Sequence, residues 1–427
     1  MKKIIVIAST FITFLSLNAQ VTVSTFAGSS QGFADGSGIL AQFYQPYGVA
    51  TDAAGNVYVA DTANNKIRKI SPTGIVSTLA GSTLGFADGA GSMAQFNSPF
   101  GIAVDNTGNV YVSDMNNNRI RKITPTGVVS TLAGSTQGFA DGTGTASQFW
   151  GPGGLAIDYT GNIYVADASN QRIRKILPSG LVSTLAGSGV AGFLDGTSSS
   201  AQFNNPTGVA TDYFGNVYVA DRNNHKVRKI TSTGVVSTFA GSSQGFNDGF
   251  GGVAQFNFPQ GVATDASGNV FVADKNNYKI RKIASSGMVS TIAGSGSSGL
   301  ADGTGNIAQF QHPDAVAVDS SDNVFVADYG NNNIRKISQL LAINQNNFTD
   351  SSLKIYPNPT QGFVNIEIAS FSPNTQVTIS DMLGKILVSE KIETSKTILN
   401  VNNYKKGIYL VTVSDGIKNE VQKLIVQ

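Results

Sequence analysis

One phrase recurs six times along the chain, and its spacing constrains the fold more than any other feature. Val-Ser-Thr begins at residues 23, 76, 129, 182, 236 and 289, which is a period of about 53 residues. Repeats of this length are typical of propeller blades, where each unit buries its apolar faces only against its neighbours.

Each repeat contains four segments with the character of β-strands. In Gly48–Gly81 they are GVATD, NVYVAD, KIRKI and VSTLAG. NVYVAD follows a Gly-Asn turn, and its residue types alternate in the manner of a β-strand. No helical periodicity is sustained in any repeat. Four strands in each of six units predict an all-β six-bladed β-propeller. Further copies of this template occupy Gly101–Gly134, Gly154–Gly187, Gly208–Gly241, Gly261–Gly294 and the shortened Ala315–Ser338.

The two ends of the repeat region complement each other. The sixth copy stops at Ser338 without a Val-Ser-Thr strand, whereas Val21–Gly28 is such a strand with no unit before it. We therefore predict that Val21–Gly28 completes the sixth blade. This pairing would close the ring and leave no bare sheet edge.

The repeats resemble a known family. Val217–Ile230, with the sequence VYVADRNNHKVRKI, resembles the NHL repeat, which is named for an Asn-His pair followed by an aliphatic position. The other units keep this frame with Asn-Asn, Asn-Gln or Asn-Tyr. The resemblance extends over Val21–Ser338 and implies the propeller fold. It leaves the function open, because NHL propellers include enzymes, sensors and binding platforms.

The first residues have the character of a secretory signal peptide. Two lysines, a short apolar run and a small-residue site predict a signal peptide at residues 1–19, cut after Ala19. The run is too short to span a membrane, so we expect no transmembrane segment in the mature protein. The propeller is predicted at 20–338 and an Asn-rich linker at 339–352. The chain has no cysteine, which excludes a disulfide framework.

Residues 353–427 are predicted to form a small Ig-like β-sandwich, because alternating segments there are separated by Gly and Pro-Asn turns. This region resembles the type A C-terminal sorting domain of type IX secretion, found in Bacteroidetes. The resemblance implies the type IX secretion machinery as a partner and a secreted or outer-surface location. The alternative is an unrelated Ig-like adhesion module. The matching residues are Tyr356, Pro357, Asn358, Pro359, Gly384, Gly407, Tyr409 and Lys423.

Two aspartates recur in every unit, and we interpret both as structural. One ends the second strand and is expected to cap a tight turn; the other precedes a Gly in the long loop and is expected to form an Asx turn. The alternative is a cation site, although the loop lacks the additional carboxylates of a calcium loop. We therefore predict no cofactor, with calcium or another divalent cation as the alternative. The two sets are Asp61, Asp114, Asp167, Asp221, Asp274, Asp328 and Asp35, Asp88, Asp141, Asp195, Asp248, Asp302.

The charge pattern argues against nucleic-acid binding. Each KIRKI strand faces about as many aspartates as it carries basic residues, and the net charge of the whole chain is only +2. Such balance favours ion pairs between strands over a stripe of one sign that could follow phosphates.

Several enzyme classes lack their residues in this sequence. Gluconolactonase-like propellers hold a metal with a ligand set that includes Glu, and no Glu precedes Asp350. NHL-like amidating lyases hold zinc through several histidines, whereas this chain has only His225 and His312. We predict a binding module. The alternative is a metal-dependent hydrolase or lactonase that uses channel-facing Asp52, Asp212 or Asp314.

Candidate ligand contacts lie where the repeats differ, in the loops before the inner strands. Aromatic side chains cluster there in three consecutive units and could stack on a glycan or hold a protein ligand. Packing between blades is the alternative role for these rings. The candidate residues are Tyr44, Tyr47, Phe100, Trp150, Gln260, His312 and Asp314.

Overall fold

The computed structural model describes residues 21–339, 353–368, 372–381, 385–414 and 419–427. The chain divides into two compact units, Met1–Leu340 and Leu341–Gln427. The predicted signal peptide lies outside the described residues, as does the predicted linker after Gln339. In the described part of the chain, no helix has the length and apolar character needed to cross a membrane.

The first unit contains six antiparallel sheets, which confirms the predicted six-bladed propeller. Each blade has four main strands that follow one another from an inner to an outer position. From inner to outer, they are Pro46–Thr51, Val57–Asp61, Lys66–Ile70 and Ile75–Ala80 in blade 1; Pro99–Val104, Val110–Asp114, Arg119–Ile123 and Val129–Ala133 in blade 2; Pro152–Ile157, Ile163–Asp167, Arg172–Ile176 and Leu181–Ala186 in blade 3; Pro206–Thr211, Val217–Asp221, Lys226–Ile230 and Val236–Ala240 in blade 4; Pro259–Thr264, Val270–Asp274, Lys279–Ile283 and Met288–Ala293 in blade 5; and Pro313–Val318, Val324–Asp328, Asn333–Gln339 and Val21–Ala27 in blade 6.

Short elements complete the blades. Two-residue strands from the long loops add to the outer edges at Gly36–Ser37, Gly142–Thr143, Gly249–Phe250 and Gly303–Thr304. Turns of 3-10 helix occupy Gly38–Leu40, Thr62–Asn64, Met115–Asn117, Gly144–Ala146, Ala168–Asn170, Arg222–Asn224, Lys275–Asn277 and Tyr329–Asn331.

The ring closes through the first described strand. Val21–Ala27 lies antiparallel to Asn333–Gln339, with Thr22 opposite Ser338 and Ala27 opposite Ile334. Its other edge pairs with Gly303–Thr304. The predicted completion of the sixth blade is therefore confirmed, and the main-chain groups of Asn333–Gln339 have a partner on the outer side.

The apolar cores lie between neighbouring blades. One cluster joins Phe43, Val49 and Val57 of blade 1 to Phe325 and Ile334 of blade 6. The same arrangement recurs around the ring, because successive side chains of each strand point to opposite faces of its sheet and both faces meet a neighbouring blade. Stacking of the blades therefore buries the faces that a single unit would leave exposed.

A buried arginine ties each long loop to its blade. The Arg68 guanidinium lies 2.6 Å from Asp61 Oδ2 and 2.6 Å from Asp35 Oδ1, and both Arg68 and Asp61 are fully buried. The same pairs form in all six blades. Burial raises the pKa of Asp61, and hydrogen bonds from Tyr44 and Asn64 act against that rise.

The network corrects the predicted roles of both aspartates. Asp61 does not cap its own turn; its Oδ1 accepts the Tyr44 backbone N–H at 2.8 Å. Asp35 accepts the Thr78 N–H at 3.1 Å rather than forming an Asx turn. A desolvated guanidinium needs carboxylates around it, and the repeat supplies one from the end of the second strand and one from the long loop. Ion pairing between strands, which the charge balance predicted, is confirmed for Asp61, whereas Asp35 pairs with Arg68 from the long loop.

Removing one buried arginine should strongly destabilise the propeller. In Arg228→Met, Asp221 would remain buried without its cation, and we expect a loss of about 3–5 kcal/mol in the free energy of unfolding. The matched control is Lys229→Met, because Lys229 only lies over the Tyr218 ring at 5.6 Å. That change should cost less than about 1 kcal/mol. Urea unfolding followed by circular dichroism measures both, and equal losses would contradict the assigned role.

The second unit is a two-layer β-sandwich. One sheet contains Leu353–Tyr356, Phe363–Ile368 and Lys396–Asn400, and the other contains Gln376–Asp381, Ile386–Lys391, Gly407–Ser414 and Asn419–Val426. Residues of both sheets, among them Leu353, Val364, Val377 and Val411, share one apolar core.

The predicted sorting residues that are described fall into two groups. The Asn358 side chain accepts the Ile425 backbone N–H at 2.9 Å and donates to the Lys423 carbonyl at 2.6 Å. This ties the Tyr356–Pro359 segment to the final strand. Tyr409 is buried, and its hydroxyl donates to the Lys405 carbonyl at 2.7 Å. Gly384 lies outside the described residues.

Candidate functional site

Two sets of variable residues meet at one end of the central channel. Each inner strand begins where the second strand of its blade ends, as the pairing of Pro46 with Asp61 shows. The residue after each of these positions therefore lies near the channel mouth. The sets are Tyr47, Phe100, Gly153, Thr207, Gln260, Asp314 and Thr62, Met115, Ala168, Arg222, Lys275, Tyr329.

A cavity of about 450 Å³ opens at this mouth. Of the predicted contacts, the structure brings four together in its wall: Tyr47, Phe100, Trp150 and Gln260. Trp150 is 46% exposed, whereas the neighbouring Phe149 is fully buried. Phe149 therefore fills the space between blades, and the Trp150 ring is open to solvent.

Tyr47 extends across the mouth. Its ring packs on Phe100, with 3.4 Å between ring centroids, and its hydroxyl contacts the Gln260 amide of blade 5. Burial, and then the nearby Asp314, raise the pKa of Tyr47 well above its ordinary value, so the hydroxyl stays protonated. The channel is narrow, with a space of only about 50 Å³ between the second to fourth residues of the inner strands.

Asp314 is buried in the channel wall beside a lysine. Lys275 Nζ lies 2.7 Å from Asp314 Oδ1, and Asp314 Oδ2 has no hydrogen-bond partner among the described residues. Burial raises the pKa of Asp314 to about 6 against the opposing effect of Lys275. The Lys275 ammonium also lies 5.2 Å from the Tyr329 ring centroid. These contacts make Lys275 and Asp314 an ion pair in the channel wall.

Arg222 is the cation without an acidic partner in the cavity wall. Its guanidinium carbon lies 5.1 Å from the Phe258 ring centroid, and within the described ranges no carboxylate is within 4.0 Å of its nitrogens. Its Nε is buried without a hydrogen-bond partner there. Because Lys275 and Asp314 balance each other, Arg222 gives the mouth an excess of positive charge.

Two family descriptions match the chain. The family described as "NHL repeat" matches six segments, one for each blade: 43–70, 96–123, 149–176, 203–230, 256–283 and 310–337.

The chain is an NHL-repeat protein. The family described as "Secretion system C-terminal sorting domain" matches residues 354–427. This NHL-repeat protein therefore carries the tail of type IX secretion, which directs it to the cell surface or the medium.

This NHL-repeat protein is similar to several known proteins. It is 32% identical to Protein SUPPRESSOR OF QUENCHING 1, chloroplastic, of Arabidopsis thaliana over 60% of the chain, and it spans only 26% of that relative's length. A structural genomics protein of unknown function from Bacteroides thetaiotaomicron has a TM-score of 0.59 and 23% identity, covering 74% of this chain and 76% of that one. An auxiliary nutrient binding protein from the same organism has a TM-score of 0.58 and 17% identity, covering 74% and 76%. These structures share the fold.

The His225 of the NHL repeat has a structural role, as its place in the repeat indicates. It ends a 3-10 turn with a φ of 56°, and its Nδ1 accepts the Phe258 backbone N–H at 3.2 Å. In another blade, Asn65 Oδ1 makes the same contact to Ser98 at 3.0 Å. In five of the six blades, this position of the repeat therefore supplies a hydrogen-bond acceptor.

Besides Asp314, which lines the narrow channel, two predicted contacts of the NHL-repeat protein are not brought into the cavity wall. Tyr44 lies in its loop without lining the cavity, and its backbone N–H bonds to Asp61. His312 packs against Tyr278 with 5.4 Å between ring centroids. Both residues therefore lie beside the mouth.

The expectation that Asp52 and Asp212 face the channel is wrong. Asp52 Oδ1 accepts the backbone N–H groups of Ala54 and Asn56, and its Oδ2 accepts the Tyr58 hydroxyl. Asp212 makes the same bonds in its own blade. Both follow the inner strand, at the opposite end from Asp314. In the described residues, no three His, Cys, Asp or Glu side chains cluster so that they could hold a metal ion.

Sequence reasoning missed Met115, Arg222, Lys275 and Tyr329. Each directly follows the invariant Asp that ends the second strand, and that position varies from blade to blade. Comparing the repeats at this position would have found them, because it opens on the same face as the inner-strand loops.

Proposed function

We propose that this exported propeller binds a small ring-shaped carboxylate, such as an acidic sugar, at the mouth of its channel. The observation that carries the proposal is one cavity whose wall contains both the exposed Trp150 and Arg222. Within the described residues, Arg222 has no carboxylate within 4.0 Å of its nitrogens. A volume of about 450 Å³ lies within the range of small-molecule pockets, roughly 300–1,000 Å³.

The two residues supply different parts of recognition. The open face of Trp150 offers a flat surface on which the C–H face of a sugar or another ring can stack. Arg222 offers N–H donors in the planar geometry that suits a carboxylate, and its Nε is buried without a hydrogen-bond partner in the described part of the chain.

The location of the protein fits a capture role. Its sorting domain delivers it to the surface or the medium, where soluble nutrients are met first. An auxiliary nutrient binding protein shares the fold at low identity, so the likeness concerns architecture and the proposal rests on the cavity.

Calorimetric titration with galacturonate and with galactose tests the proposal, because the two sugars differ only in the carboxylate. We expect galacturonate to bind at least about tenfold more tightly, since a charge-assisted hydrogen bond contributes roughly 1.5–3 kcal/mol. Arg222→Gln should abolish this preference. Trp150→Ala should weaken galacturonate binding by about 1–3 kcal/mol and leave the unfolding midpoint nearly unchanged.

The matched controls are Lys229→Gln, which lies away from the cavity, and Phe149→Ala, which removes a buried ring beside Trp150. Lys229→Gln should retain the preference. Phe149→Ala should lower stability by about 3–5 kcal/mol. Equal binding of the two sugars, or an unchanged preference in Arg222→Gln, would contradict the proposal.

A further inference from the structure

Three aromatic rings stand exposed on the face opposite the cavity. Tyr159 is 74% exposed, Tyr213 79% and Phe214 78%. The Tyr159 and Tyr213 rings stack with 5.8 Å between centroids and 27° between planes. Phe214 meets the Tyr213 ring edge-on at 6.0 Å. We call these three rings the aromatic platform.

Preformed turns hold the platform. In blade 3, Asp158 Oδ1 accepts the backbone N–H groups of Thr160 and Asn162, which fixes the loop that carries Tyr159. In blade 4, Asp212 Oδ1 accepts the N–H groups of Phe214 and Asn216. The rings are therefore presented on rigid backbone, which lowers the entropy lost when a ligand binds.

The fold does not require these rings. At the same two turn positions, the other four blades carry small or polar residues: Ala53-Ala54, Asn106-Thr107, Ala266-Ser267 and Ser320-Ser321. Exposed aromatic residues contribute little to the stability of a propeller, and a contiguous exposed group of them indicates an interaction site.

The platform rings line one side of a cleft of about 260 Å³ whose wall is partly polar. Thr160, Thr231 and Ser232 contribute hydroxyls, and Lys175 contributes an ammonium group. Lys175 Nζ lies 5.6 Å from the Tyr164 ring centroid, and no carboxylate in the described part of the chain is within 4.0 Å of it. Hydrogen-bond donors and acceptors therefore border an apolar stacking surface.

We propose that the aromatic platform and its cleft bind a neutral polysaccharide. A pyranose has an apolar C–H face that packs on an aromatic ring, while its hydroxyls need a polar rim such as that formed by Thr160, Lys175 and Ser232. Three rings cover far less than the roughly 800 Å² per partner of a stable protein interface. A single lysine is also too little charge for an anionic membrane surface.

This site is separate from the cavity at the channel mouth, so either proposal can fail alone. The sorting domain directs the protein, and with it this site, to the cell surface or the medium. Two sites on opposite faces would let the chain hold a polymer on one side and a small molecule on the other.

Affinity electrophoresis of the full chain tests the platform. Native gels would contain hydroxyethylcellulose, galactomannan, xylan or pullulan. We expect at least one of these polymers to retard the wild-type chain. In Tyr159→Ser/Tyr213→Ser/Phe214→Ser, the retardation constant should fall at least tenfold. Serine already occupies the equivalent positions Ser320 and Ser321, so the variant should fold, and its unfolding midpoint should match that of the wild type.

Phe250→Ser is the matched control, because it removes an aromatic ring that is 60% exposed at the outer edge of blade 5, and serine already occupies the equivalent position Ser37 of blade 1. It should be retarded as strongly as the wild type. Failure of all four polymers to retard the wild type would overturn the proposal, as would equal retardation of the triple variant. Sedimentation velocity adds a second readout, and a wild-type dimer that the triple substitution dissociates would assign the platform to self-association instead.

Discussion

Deleting Val21–Gly28 should leave the propeller unable to hold its native state. The deletion exposes the outer edge of Asn333–Gln339 and removes the buried side chains of Val23 and Ala27. It also removes Phe26, which packs edge-on against Phe325 with 5.1 Å between ring centroids. Burial of one valine alone contributes about 1.5–3 kcal/mol. Together with the lost strand pairing, we expect a loss of roughly 5 kcal/mol or more, comparable to the total stability of a typical domain.

Urea unfolding and sedimentation velocity measure this effect as a collapsed midpoint and as aggregation through the open edge. A rescue variant separates ring closure from the mere loss of residues. It places Thr22–Gly28 after Ser338, joined by the Pro72–Gly74 segment of the blade 1 turn, so that blade 6 is built like the others. We expect this permuted chain to recover the midpoint. Full stability of the simple deletion would show that the strand does not hold the ring together.

Removing Leu353–Gln427 should abolish delivery of the propeller to the surface and the medium. The matched sorting domain covers residues 354–427, and the propeller has its own cores that contain no residue of this unit. We therefore expect a folded propeller that stays inside the cell envelope. Cell fractionation and immunoblotting in the native host measure its location, and circular dichroism of the purified propeller measures its folding.

A point substitution refines the export prediction. Asn358→Ala removes both hydrogen bonds that tie the Tyr356–Pro359 segment to the last strand, and it should reduce export. Asn365→Ala is the control, because it removes a single bond to the Tyr356 carbonyl. Normal surface levels of the truncated chain would overturn the role assigned to the sorting domain.

The sequence predicted the architecture well because the architecture depends on periodicity. A repeat of about 53 residues fixes the number of blades, and the unmatched Val21–Gly28 segment identifies the closing strand. Neither inference needs the direction of any single side chain.

The site was predicted only in part, because side-chain direction depends on ring geometry. The sequence pointed to Phe100 and Trp150, but it could not show that Tyr47 reaches Gln260 four blades further along the chain. It also could not show that Asp314 lies in the channel wall whereas Asp52 lies in a turn at the opposite end of its inner strand. The burial of Arg68 was equally hidden, because its segment KIRKI contains three basic residues and only one of them points into the dry interior.

The closing strand also sets the order of folding. Thr22 and Ser338 are in contact across 316 residues, so blade 6 cannot be completed until nearly the whole propeller is available. Closing so long a loop is entropically costly and slow, whereas the hairpins of blades 1 to 5 are local in sequence. The final pairing is therefore expected to be the rate-limiting step. If the chain leaves its secretion channel gradually, it would become resistant to proteases only when Val21–Ala27 has paired with Asn333–Gln339.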